Sequence, residues 1–99
     1  MSNIKRARIH GVLQDWDLYD TRFDIERVDV IVPGRLFDGY ADEEIEEMLE
    51  YGADIGCADD PLGKVFLKAI DEGWVKVSSR WQPEDPCELY LEIDREEEA

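Results

Sequence analysis

The stretch from Asp60 to Gly73, "DPLGKVFLKAIDEG", constrains the fold most tightly. Leu62, Val65, Phe66, Ala69 and Ile70 recur at i, i+3, i+4, i+7 and i+8, one continuous face of an α-helix. Asp60 suits the N-cap, Pro61 the first helical position and Gly73 the C-terminal stop. A helix with so complete an apolar face must bury it against a second layer, which the rest of the chain has to supply.

Alternating segments supply it. From Ile4 to Leu13, residues Ala7, Ile9, Gly11 and Leu13 share one parity, while Arg6, Arg8, His10 and Val12 take the other. That is a strand with a basic outer face. "QDWDLYD" reads as a hairpin tip. In "TRFDIERVDVIVPG", Phe23 and Ile25 share one parity and Val28, Val30 and Val32 the other, so a bulge is expected near Glu26 and Arg27. Pro33-Gly34 closes that strand. Val75, Val77 and Trp81, then Cys87, Leu89, Leu91 and Ile93, alternate like a second hairpin. A first helix is expected from about Asp42 to Tyr51, with Ile45, Met48 and Leu49 as a narrow apolar stripe and Gly52 as its C-terminal stop. The predicted fold is α+β: an antiparallel four-stranded sheet in ββ-αα-ββ order with two helices packed on one face. Residues 1–93 form a single acidic domain and 94–99 a frayed acidic tail.

Composition agrees with a folded domain. Of 99 residues, 43 % are hydrophobic, among them three Trp, four Tyr and three Phe, enough for a core without metal or disulfide support. Apolar runs fall short of the ~20 residues that span a bilayer. The opening "MSNIKRARIHG" lacks the apolar stretch of a signal peptide, so a cytoplasmic location is expected.

Several chemistries find little support. Cys57 and Cys87 stand thirty positions apart with a single histidine, too few closely spaced ligands for zinc. Two reduced, partly buried thiols are expected there. Asp15, Asp17 and Glu26 occupy positions 1, 3 and 12 of a calcium loop, yet Asp20 stands where the loop needs glycine and Tyr19 where it needs an oxygen ligand. Asp54, Asp59 and Asp60 could chelate a divalent ion weakly, although helix capping already accounts for Asp60. Catalysis lacks a marked residue: His10 has no sequence partner, many carboxylates pair but none is marked as buried, and "PLGKVF" lacks the upstream glycine of a phosphate loop. No cofactor is expected and the chain reads as a non-enzyme. Core packing is the expected role of Trp74 and Trp81.

Charge is the outlier. Twenty-six acids against eleven bases give −15, which repels nucleic acid and anionic lipid and attracts basic surfaces. Asp42, Glu43, Glu44, Glu46, Glu47, Glu50, Asp54, Asp59 and Asp60 fall in one stretch that contains no base. On a helix, residues three or four apart are ~5–6 Å apart, so Glu43, Glu46, Glu47 and Glu50 make a row of carboxylates, with the other five in support. Duplex DNA carries one phosphate per ~1.7 Å of axis, and such a row approaches that density. The expected function is non-enzymatic: a nucleic-acid mimic that blocks a basic nucleic-acid-binding protein, as a phage anti-defence protein would. The alternatives are a halophile-type or housekeeping domain whose charge serves solubility, and a weak divalent-cation binder. Strand edges could also pair two copies as a homodimer, and the sequence does not choose among them.

Overall fold

The computed structural model describes residues 4–16, 23–54, 59–77, 81 and 87–95. Strand β1 (Ile4–Trp16) is followed by β2 (Phe23–Pro33), a 3-10 turn (Gly34–Phe37), helix α1 (Asp42–Tyr51), helix α2 (Pro61–Asp71) and strand β3 (Cys87–Arg95). The fold is α+β, with two helices and an antiparallel three-stranded sheet ordered β2-β1-β3.

Alternation sorts the sheet into two faces. Ala7, Ile9 and Leu13 of β1, Val28, Val30 and Val32 of β2, and Cys87, Leu89 and Leu91 of β3 are buried in one cluster. Ile45 and Met48 of α1 and Leu62, Val65, Phe66 and Ala69 of α2 complete that cluster from the helix side. The register between β1 and β2 runs without interruption from Arg6 opposite Pro33 to Trp16 opposite Phe23. The bulge expected at Glu26 and Arg27 is therefore absent. Strand β3 pairs with β1 only as far as Leu13, and the register shifts between Ile4 and Arg6.

The predicted fourth strand is not confirmed. Residues 75–77 and 81 join no ladder, while 78–80 and 82–86 lie outside the described residues. The physical reason lies at the end of α2. Gly73, at φ 87°, donates its N–H to Ile70 O and Trp74 donates to Ala69 O, a Schellman closure that reverses the chain. Val75 and Val77 then pack against the core from an irregular segment, and buried Trp81 meets Phe66 edge-on at 6.1 Å between ring centroids. Their alternation is satisfied by side-chain packing rather than by strand pairing. Trp74, expected in the core, is instead exposed, with its indole N–H donating to Glu72 at 3.4 Å. β3 continues through Arg95, two residues into the stretch assigned to the tail.

Two glycines fix how the layers meet. At Gly11, φ is 152° and an added Cβ would lie 1.8 Å from the Glu88 carbonyl oxygen, so β1 and β3 approach here only because the side chain is absent. At Gly52, φ is 62° and a Cβ would lie 2.0 Å from the Leu89 carbonyl oxygen. This turn lets Ala53 pair with Leu89, each N–H donating to the other's carbonyl at 3.0 and 2.8 Å. The end of α1 is thereby tied to the edge of β3.

Candidate partner-binding surface

Helix α1 is a rigid mount for its acids. Ile45 and Met48 anchor it in the core, and Gly52 N–H closes it on Met48 O at 2.9 Å. The apolar stripe is narrower than the sequence suggests, because Leu49 is 38 % exposed and Tyr51 70 % exposed. Asp42, Glu43 and Glu44 occupy the first turn, where exposed N–H groups favour negative charge. Glu44 uses one oxygen to accept the Ala41 N–H at 3.3 Å. With 3.6 residues per turn, Glu43, Glu46, Glu47 and Glu50 lie on the side opposite Ile45 and Met48. All four are exposed.

The remaining acids divide. Asp54 and Asp60 are brought together across the connector, with the Asp54 N–H donating to Asp60 Oδ2 at 3.3 Å. Asp60 stands at the N-cap of α2 as expected, but its carboxylate bonds to no N–H of its own helix. Asp59 is exposed beside it. Glu47 and Asp60 share a cleft of about 230 Å³ with Met48, Tyr51, Gly52 and Pro61. One acidic margin therefore runs from α1 across this cleft to the start of α2. Asp42 and Glu43 lie at its far end, ~6–8 Å along the helix axis from Glu47. Tyr51 belongs to this surface and was not among the expected site residues; it follows Met48 by three positions, so no periodic signal separates it from the buried stripe.

Among the described residues, no cation pairs with any of these nine acids. Arg6, Arg8 and Arg35 are engaged elsewhere. On the outer face of the sheet, Arg8 donates Nε and Nη2 to the two carboxylate oxygens of Asp29 at 2.7 and 2.6 Å, and Nη1 to Glu92 at 2.8 Å. Arg6 donates to Asp94 at 3.1 Å, and His10 Nε2 lies 3.5 Å from Glu92 while its ring sits 5.8 Å from that of Tyr90. The bonds from Arg8 hold the Asp29 carboxyl below its ordinary value, and those from Asp29 and Glu92 make the Arg8 guanidinium still harder to deprotonate. Arg35 pairs with Glu72 and lowers its carboxyl in the same way. The basic outer face expected from Arg6, Arg8 and His10 is thus present, but neutralised in place by acids from β2 and β3.

For other chemistries the described residues offer little. No three of their His, Cys, Asp and Glu side chains gather to hold a metal ion. Asp17, Asp20 and Tyr19 of the calcium-loop reading, and Cys57, lie outside the described residues; Cys87 is buried. No described helix is long and apolar enough to cross a membrane. Comparisons with protein-family models, with curated proteins and with solved structures gave no match.

Proposed function

We propose that this chain is a non-enzymatic acidic binding protein that occupies a basic nucleic-acid-binding surface of a partner, in the manner of a DNA mimic and as a phage anti-defence or anti-CRISPR protein would. One observation carries the reading. Nine acids stand on a packed helix and the adjoining cleft without a cation partner among the described residues, while Arg6, Arg8 and Arg35 are all bound to other acids. Carboxylates without a cation keep their charge for an external guanidinium or ammonium group, and all but Glu44 and Asp60, which each accept one backbone N–H, keep their acceptor sites as well. Ion pairing gives contact specificity, and the net charge of −15 speeds encounter.

The test is capture from a host lysate by the wild type and by E43Q/E46Q/E47Q/E50Q in parallel. The reading expects nucleic-acid-binding proteins retained by the wild type alone, released by added duplex DNA and by raised salt. Identical retention by both baits, or retention indifferent to duplex DNA, refutes it and leaves a charge that serves solubility.

A further inference from the structure

Strand β2 has β1 on one side and no backbone partner on the other among the described residues. Long open edges of this kind are templates for another strand unless something blocks them. Its proline, Pro33, stands only at the end.

Which groups face the open edge follows from the ladder. In an antiparallel sheet, successive residues direct their N–H and C=O alternately to the two neighbours. Leu89 exchanges both of its backbone bonds with Ala53, away from β1. Leu89 stands opposite Gly11, so Gly11 directs its own groups to Val28 in β2. By alternation Glu26, Val28, Val30 and Val32 bond to β1, whereas Ile25, Arg27, Asp29 and Ile31 turn their backbone groups outward.

The sequence on that edge is self-complementary. In "IERVDVI", Ile25 to Ile31, a two-fold axis at Val28 sets Arg27 opposite Asp29 of a second copy, Asp29 opposite Arg27, and Ile31 opposite Ile25. Arg27, Asp29 and Ile31 are exposed on the outer face of the sheet, Ile31 to 54 %. Arg27 has no ion-pair partner among the described residues. Asp29 already receives Arg8, but a carboxylate has about four lone-pair sites, so a second guanidinium can be accepted. Opposed residues of such a pair have Cβ atoms ~5 Å apart, within reach of an Arg–Asp bond.

We propose that two copies of this chain pair antiparallel through the open edges of β2, with the two-fold axis at Val28 and reciprocal Arg27–Asp29 ion pairs. The two three-stranded sheets merge into one. Because Val28 of each copy then points to the same side, both helix layers lie on one face of the joined sheet and present their acidic helices together. The inference does not depend on what those acids bind.

Sedimentation velocity over protein concentrations from about 5 to 500 μM, at the ~0.15 M ionic strength where the Debye length is ~8 Å, tests it together with amide hydrogen exchange. The wild type should pass from monomer to dimer. Amides of Arg27, Asp29 and Ile31 should gain protection with concentration, while those of Val28 and Val30 stay constant. R27E, which sets Glu against Asp at both pairs and breaks no ion pair among the described residues of the monomer, should weaken dimerisation at least ten-fold with unchanged circular dichroism; I31K should do likewise. E43Q/E46Q/E47Q/E50Q should dimerise like the wild type or better, which separates this proposal from the one on the acidic surface. A wild type monomeric throughout, a dimer indifferent to R27E, or protection gained along β3 instead overturns it.

Discussion

The acidic row should cost the fold stability, and the cost can be worked from α1. Within the helix, Asp42–Glu46, Glu43–Glu47 and Glu46–Glu50 stand four residues apart, and Glu43–Glu46, Glu44–Glu47 and Glu47–Glu50 three apart. Each like-charged pair is unfavourable by roughly 0.2–0.5 kcal/mol on an exposed helix at low salt. Replacing Glu43, Glu46, Glu47 and Glu50 with Gln removes every one of these repulsions and leaves helix propensity nearly unchanged. The dipole contributions offset each other: Glu43 is favoured in the first turn and Glu50 disfavoured in the last. After partial screening by solvent the variant should gain about 1–2 kcal/mol. For a domain of this size that raises Tm by roughly 4–16 °C in dilute buffer, and by less than half as much near 0.5 M salt, where the Debye length falls below ~5 Å. Differential scanning calorimetry at both ionic strengths measures it. An unchanged or lowered Tm in dilute buffer would show that the row is already neutralised inside the protein and that its carboxylates are not free for a cationic partner.

Further expectations bear on the scaffold. G11A should cost at least ~3 kcal/mol in urea denaturation, because a Cβ 1.8 Å from Glu88 O forces β1 and β3 apart at a backbone angle that L residues rarely adopt. F66A should cost ~3–5 kcal/mol and shift Trp81 fluorescence to the red, since Phe66 is fully buried and its ring meets Trp81. The Asp29 and Glu72 carboxyls are lowered by hydrogen bonds from Arg8 and Arg35, so what these pairs add to stability is complete above the ordinary carboxylate range near pH 4. It is lost as pH falls through the lowered values. Denaturation midpoints should therefore respond to D29N's removal of this pair at pH 6, and progressively less as pH falls through the lowered Asp29 value.

Local patterns were readable and long-range pairings were not. Helix α1 was legible to its end residues because Ile45 and Met48 mark a face and Gly52 a stop. The five-residue stripe, Pro61 and Gly73 marked α2 equally well. Alternation in β1 and β3 gave their inward faces. The same alternation misled at Val75, Val77 and Trp81, because burial on a core from an irregular segment leaves the same trace as a strand. Nor could spacing reveal that Arg8 meets both Asp29 and Glu92, which lie 21 and 84 positions away. Sequence placed the acids and the bases; only the sheet order showed which bases were already engaged. Asp60 is a smaller case of the same kind: its position as N-cap was evident, its bond to the Asp54 N–H was not.

The most direct measurement is the salt dependence of affinity between this protein and a partner obtained by capture, determined by titration calorimetry for the wild type and E43Q/E46Q/E47Q/E50Q. If the carboxylates of α1 are what the partner reads, affinity falls steeply with salt for the wild type, the variant binds more weakly, and its dependence on salt is visibly shallower. Equal affinities with parallel salt dependences would contradict the account.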